Sequence, residues 1–180
     1  PAIIYGVKGL IDYMAENHGF VHPDYMACIG LNLENALVYR LLARRVPEAV
    51  TFNAGKVYEV LKFFTAADGG LFYPGSTDWS LHRVELTWAT AVQMDRLTRD
   101  PQAGALGELA LETMERMCAR YGDGRMFASY EFPTYKTIEA VTSAGLDIGL
   151  MFARMWMPAE GAEPLETVWR KLEGARVFED

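Results

Sequence analysis

The sequence predicts an all-α fold built from stacked antiparallel helical hairpins. Apolar residues recur at three-to-four spacing through most of the chain, and glycines or prolines end each such stretch. In addition, three glycine-centred, aromatic-rich segments, residues 17–23, 68–79 and 122–133, follow one another at similar spacing. Their period of roughly 50 residues is within the range of helical-hairpin arrays. We call them the first, second and third glycine loops, and expect a single helical domain over residues 1–180.

The first half of the chain is expected to contain three helices. One covers about residues 2–16. The second covers residues 24–45, begins after Pro23 and carries apolar residues at helical spacing: Met26, Ile29, Leu33, Leu37, Leu41 and Leu42. A third carries the apolar stripe of residues 57–64 and ends at the second glycine loop, whose glycines supply a helix stop.

Four more helices are expected in the second half. The fourth begins near Ser80 and ends before Pro101, which disfavours a helical residue in front of it. The fifth covers residues 102–121 and is amphipathic. The sixth covers residues 134–157 and is widely apolar, and the last covers residues 164–172. Strands are expected only as short extended pieces after the glycines of the three loops.

The composition favours one folded, soluble domain. The chain has 180 residues, of which 51% are hydrophobic and 23% charged, so it can bury a sizeable core. Its net charge of −7 and its dispersed Lys and Arg argue against nucleic-acid binding. Charged residues interrupt every apolar run well before the length of about 20 residues that a membrane span needs. Cys28 and Cys118 lie in apolar helical patterns, and we expect them to be buried free thiols.

The glycine loops are the expected location of a functional site. If successive helices run antiparallel, the short connections near Pro47, Pro101 and Pro158 lie at one end and the glycine loops at the other. Long loops rich in His, Tyr, Trp and Asp on a rigid scaffold are where binding and catalytic residues tend to lie. The densest stretch, from Asp68 to Arg83, combines aromatic rings with a His and an Arg. Such groups suit a sugar, and they also serve as loop-packing anchors.

At the first glycine loop the chain resembles the α/α-toroid superfamily of carbohydrate-active enzymes, through the run Asn17-His18-Gly19-Phe20-Val21-His22-Pro23-Asp24-Tyr25. Together with the hairpins and their aromatic loops, this run is similar to the helical domain of heparinase-like and alginate-lyase-like polysaccharide lyases. The resemblance implies an incomplete (α/α) toroid, about half of a complete one, in a periplasmic or extracellular protein. It also implies a polysaccharide or oligosaccharide as the partner.

In such lyases, as the resemblance implies, an Asn, His or Arg neutralises the uronate carboxylate while a Tyr or His removes the C5 proton. A second Tyr or His protonates the leaving oxygen. The C5 proton is weakly acidic until the neighbouring carboxylate is neutralised, and the base must titrate near the working pH. The expected catalytic residues are His22, Tyr25, Tyr73 and His82. The expected substrate-binding residues are Asn17, Asp78, Trp79, Arg83, Tyr130 and Glu131.

Two other functions stay open. A glycoside hydrolase on the same scaffold would use two carboxylates across a sugar, but the spacing selects no pair among Asp68, Asp78, Glu85 and Glu131. A non-catalytic helical-repeat module would instead grip a partner with the aromatic loops. The sequence contains no nucleotide-binding glycine loop, metal-ligand pairing or serine-nucleophile elbow, so no cofactor or metal is expected. Exposed apolar edges on half a toroid would favour self-association, or association with the rest of a larger toroid.

Overall fold

The computed structural model describes residues 8–9, 13–17, 19–74, 83–127, 146–155 and 163–176. These residues are predominantly helical, which confirms the predicted all-α class. The helices are α1 (Pro23–Ala27), α2 (Ile29–Leu33), α3 (Asn35–Leu41), α4 (Glu48–Thr51), α5 (Ala54–Lys62), α6 (Val84–Leu97), α7 (Ala103–Tyr121), α8 (146–155) and α9 (Leu165–Arg176). The strands are β1 (Lys8–Gly9), β2 (Ala15–Asn17) and β3 (Phe20–Val21).

The N-terminal region is a small antiparallel sheet, in the order β1-β2-β3. The helix predicted over residues 2–16 is therefore wrong for the described part of that range. The physical reason is the turn at Gly19, whose φ of +88° is readily adopted only by glycine. The Gly19 amide donates to the carboxylate of Glu16 at 2.7 Å, and the chain then returns as β3. This short strand is one of the extended pieces expected after the loop glycines.

The long helix predicted over residues 24–45 is divided into α1, α2 and α3 and ends at Leu41. The side-chain amide of Asn35 donates to the carbonyls of Leu31 and Asn32, so it competes with the backbone for helical hydrogen bonds. The Ala43 φ of +49° stops the helix before residue 45. Cys28, at the first break, is exposed and Cys118 is half-buried, so the expectation of buried thiols is wrong. Neither forms a disulfide with a described residue.

The predicted helices of the middle and the end of the chain are confirmed by α5, α6, α7 and α9. Residues 98–102 join α6 to α7, and the two helices pack along their lengths as an antiparallel hairpin. Gly107 of α7 faces Ala91 of α6 in this hairpin, where an added Cβ would be in ordinary van der Waals contact, 3.4 Å from the Cβ of Ala91. Within the described residues the hairpin is the most extensive helix pairing of the fold.

Two apolar clusters pack other parts of the chain against this hairpin. The main one joins α1, α2 and α5 to α6 through residues that include Met26, Leu61 and Met94. In the other, Met126 and Phe127 of the third glycine loop pack with residues of α6 and α7. The described part of the third loop thus lies against the hairpin. The incomplete toroid stays a prediction. Among the described residues, no helix is both long and apolar enough to cross a membrane.

Buried charge joins α5 to the α6–α7 connection. The Lys62 side chain is 2% exposed, and its Nζ lies 3.0 Å from Oδ2 of Asp100 and 2.9 Å from Oε1 of Glu59. It also donates to the side-chain oxygen of Gln102. The other oxygen of Asp100 accepts the backbone amides of Gln102 and Ala103, where α7 begins. One carboxylate therefore neutralises a buried lysine and caps the helix.

Gly69→Ala is expected to destabilise the protein by about 2–4 kcal/mol. Gly69 has a φ of +83°, and a Cβ there would lie 2.8 Å from Cα of Ala110 on α7. The variant therefore combines backbone strain with a collision against a helix backbone. Gly122→Ala is the matched control, because Gly122 has a φ of +73° and nothing within 4 Å of the added Cβ. Urea denaturation followed by circular dichroism measures both, and equal losses in the two variants would contradict the predicted collision.

Candidate functional site

His22 is fixed where the sheet meets α1. Its amide donates to the carbonyl of Ala15 at 2.9 Å, and its own carbonyl accepts the amides of Tyr25 and Met26. Pro23 occupies the first turn of α1, where a missing N–H costs nothing and the proline φ is already helical. The backbone of His22 is therefore held by the strand on one side and by the helix on the other.

The His22 ring forms a buried pair with Asp24. Nδ1 of His22 is hydrogen-bonded to Oδ1 of Asp24, and the same oxygen accepts the Tyr25 amide at 3.0 Å. His22 is 0% exposed and Asp24 is also buried. A carboxylate at Nδ1 favours the tautomer that carries its proton there, which makes Nε2 the basic nitrogen. An imidazole held in this way can act as an oriented general base.

Two tyrosine rings contact the same imidazole. The Tyr25 and His22 ring centroids lie 4.8 Å apart at an interplanar angle of 84°, and those of Tyr73 and His22 lie 5.7 Å apart at 78°. The structure thus brings together three of the four predicted catalytic residues: His22 of the first glycine loop, Tyr25 of α1 and Tyr73 of the second glycine loop. We call His22, Asp24, Tyr25 and Tyr73 the His22 cluster.

The second glycine loop reaches the cluster through a tight turn. Thr65 and Leu71 form an antiparallel bridge, and the Phe72 amide donates to the carbonyl of Phe64 at 2.7 Å. The Asp68 carboxylate accepts the Gly70 amide at 3.1 Å inside the turn. These contacts reverse the direction of the chain after α5, and Tyr73 is the residue that follows Phe72.

Arg83 and Glu85 form a largely buried ion pair at the start of α6, with Nε of Arg83 3.2 Å from Oε1 of Glu85. A charge of this pair and a charge of the cluster both act on the Cys28 thiol. Although Cys28 is exposed as a residue, partial burial of its thiol raises the pKa of that group, the Asp24 carboxylate raises it further, and the Arg83 guanidinium lowers it. Asp24 and Arg83 are therefore both close enough to Cys28 for their charges to act on it.

Six of the predicted site residues lie wholly or partly outside the part of the chain that the structure describes. Asn17 pairs with Phe20 through the backbone of the sheet, and its side chain is not among the described groups. The other five lie outside the described residues: Asp78, Trp79, His82, Tyr130 and Glu131. Among the residues that the structure does describe, no group of His, Cys, Asp and Glu side chains is arranged to hold a metal ion.

Sequence reasoning missed the role of Asp24. An acid in the first turn of a helix is typical of a residue that interacts with the helix dipole, and Asp24 was not among the predicted site residues. The missed signal was the spacing His22-Pro23-Asp24, because a proline at the first helical position fixes the turn that lets residues 22 and 24 meet. The cluster thus combines a basic nitrogen, an orienting carboxylate and two phenols.

Comparisons with protein-family models, with curated proteins and with solved structures found no match. The relationship to α/α-toroid enzymes therefore stays a prediction.

Proposed function

We propose that the chain is a polysaccharide lyase that cleaves uronic-acid-containing glycans by β-elimination at the His22 cluster. The observation that supports this function is the packing of Tyr25 and Tyr73 against an imidazole whose Nδ1 is bound by Asp24. β-Elimination needs a base for the C5 proton and an acid for the leaving oxygen. An oriented His and two Tyr hydroxyls supply both kinds of group.

In the proposed reaction Nε2 of His22 takes the C5 proton, and the electron pair of that C–H bond forms a double bond between C4 and C5. The bond from C4 to the glycosidic oxygen breaks, and this oxygen receives a proton from the hydroxyl of Tyr25 or Tyr73. Asp24 keeps the imidazole oriented and stabilises the imidazolium that forms. Among the predicted binding residues that the structure describes, Arg83 carries the positive charge for the substrate carboxylate, and it shares its guanidinium with Glu85.

Non-catalytic carbohydrate binding is the second candidate, and the complete burial of His22 favours it. A buried His bonded to a carboxylate at a helix start satisfies two polar groups and needs no further role. Exposed aromatic rings would then contact the ligand. One such ring is Phe72 of the second glycine loop, which is 57% exposed. A glycoside hydrolase has less support, because Glu85 is bound to Arg83 and Asp68 caps a turn.

Tyr25→Phe and Tyr73→Phe test the proposed acid. We expect at least one of them to lower kcat on a uronate polymer by about 10²–10⁴-fold while polymer binding changes little, because only the hydroxyl is lost. Tyr39→Phe on α3 is the matched control and should retain full turnover. Full turnover in both cluster variants would contradict the role of these hydroxyls. A wild-type chain that binds polymer without turnover would favour the binding module.

A further inference from the structure

A cleft of about 250 Å³ lies between the two helices of the α6–α7 hairpin. Sites for drug-sized molecules occupy about 300–1,000 Å³, so this cleft suits a smaller ligand. On the α7 side it is lined mostly by small residues, which leave the space open. On the α6 side it is lined by larger side chains: Trp88, Val92, Asp95 and Arg96. We call this space the α6–α7 cleft, and its lining includes no residue of the His22 cluster.

One wall of the α6–α7 cleft is apolar. Trp88 and Val92 are four residues apart on α6, so they lie on the same side of the helix. Both are half-buried, because each packs against an apolar cluster of the fold and leaves part of its surface to the cleft. An indole ring beside a branched aliphatic side chain offers contact area to an apolar group of a ligand.

Arg96 supplies a buried hydrogen-bond donor to the same cleft. Its side chain is 16% exposed, and its Nη1 is paired with the carboxylate of Asp95. Nε of Arg96 is buried and has no hydrogen-bond partner among the described residues. Buried N–H groups normally have a partner, because an unsatisfied one loses its hydration without compensation. An acceptor atom on a bound molecule would satisfy this donor.

The charges around Arg96 indicate which kind of molecule carries that acceptor. Loss of hydration lowers the pKa of Arg96, the charge of Arg99 lowers it further, and the Glu108 carboxylate raises it. A negatively charged acceptor would therefore stabilise the guanidinium. Glu108 of α7 lines the cleft too, and it is exposed, so its carboxylate is accessible to a donor. The cleft thus presents a cation and an anion beside an apolar wall.

We propose that the α6–α7 cleft binds an α-amino acid with an apolar side chain. The ligand carboxylate accepts hydrogen bonds from the Arg96 guanidinium, and the ligand ammonium donates to the Glu108 carboxylate. The ligand side chain packs against Trp88 and Val92. A simple acid lacks the ammonium that offsets the charges of Asp95 and Glu108, and a simple amine leaves Nε of Arg96 unsatisfied. The inference goes beyond the proposed function and does not depend on it.

Isothermal titration calorimetry of the full chain tests the ligand, with L-leucine and L-phenylalanine as probes. Isoamylamine and phenethylamine are the matched molecules without the carboxylate, and isocaproate and hydrocinnamate are those without the ammonium. We expect at least one amino acid to bind, and both of its matched molecules to bind about tenfold or more weakly, because each loses one charge-assisted hydrogen bond.

Variants locate the binding site in the cleft. Arg96→Met and Glu108→Gln should each raise the dissociation constant by about tenfold or more, and Val92→Phe should abolish binding because its ring fills the cleft. Arg116→Met and Glu112→Gln are the matched controls, since these residues form an exposed pair on α7 outside the cleft. Both controls should bind like the wild type.

Three results would overturn the proposal. The first is a chain with helical circular dichroism that gives no heat of binding with either amino acid. The second is a matched molecule that binds as tightly as its amino acid, which would show that the site does not recognise both charges. The third is unchanged affinity in Glu108→Gln and Val92→Phe, which would place the binding site elsewhere. Turnover of a uronate polymer bears on the His22 cluster alone, so the two proposals fail independently.

Discussion

Replacing Asp100 by Ala is expected to destabilise the protein by about 3–5 kcal/mol. Lys62 is almost fully buried with its Nζ 3.0 Å from Asp100, so the variant leaves a buried ammonium group without its buried counter-ion. It also removes the acceptor for the amides of Gln102 and Ala103, and the loss of such a helix cap costs about 1 kcal/mol. Urea denaturation followed by circular dichroism gives the free energy of unfolding directly.

Further variants separate the effect of the Asp100 charge from the effect of its hydrogen bonds to the start of α7. Asp100→Asn keeps an acceptor oxygen for the α7 amides and removes only the charge, so its loss should be smaller than that of Asp100→Ala. Adding Lys62→Met to Asp100→Asn removes the buried charge on both sides and should recover part of the loss. The matched surface control is Lys171→Met, which breaks a 2.7 Å pair with Glu163 and should cost less than about 1 kcal/mol. A loss in Asp100→Ala no larger than in this control would contradict the buried pair.

His22→Ala is expected to lower turnover of a uronate polymer by about 10²–10⁴-fold, because it removes the group that takes the C5 proton. Asp24→Asn should also lower turnover strongly, since an amide no longer stabilises the imidazolium or selects the tautomer. Both residues are buried, so both variants are expected to lose stability as well. Initial rates of absorbance change, measured below the melting temperature of each variant, report turnover separately from folding.

Imidazole in solution distinguishes a catalytic His22 from a structural one. In His22→Ala the missing ring leaves space beside Asp24, and added imidazole should restore part of the turnover if its nitrogen acts as the base. A purely structural His22 predicts a different result, in which turnover and melting temperature fall together and imidazole restores no turnover. Tyr39→Phe, which keeps the cluster intact, should show no response to imidazole.

The helices that the sequence predicted well depend on local signals. The amphipathic pattern before Gly122 and the stop before Pro101 determine α7 and the end of α6, and both are confirmed. The N-terminal sheet was missed because pairing between β2 and β3 depends on a turn at Gly19 and not on apolar periodicity. The division between α2 and α3 was missed because Asn35 binds backbone carbonyls at that point, an interaction that an apolar spacing pattern does not contain.

The candidate site was predictable only in part, because some of its contacts join residues that are far apart in the sequence. His22 and Tyr25 flank one helix start, so their proximity follows from local geometry. Tyr73 arrives through the turn after α5, and its contact with His22 spans two glycine loops. Lys62 is the opposite case: its charge predicts exposure, yet Asp100, 38 residues away, permits its burial. The spacing of residues within one segment does not predict a partner that lies far away in the sequence.

The most direct test of the proposed lyase is absorbance in the ultraviolet band of unsaturated uronates, recorded while the wild-type chain is incubated with a panel of uronic-acid polysaccharides. Each β-elimination creates one double bond conjugated to a carboxylate, whereas hydrolysis or binding creates none. The predicted result is a rise with at least one polymer that His22→Ala loses and Tyr39→Phe retains. No rise with any polymer, from a chain whose circular dichroism is helical, would contradict β-elimination at the His22 cluster.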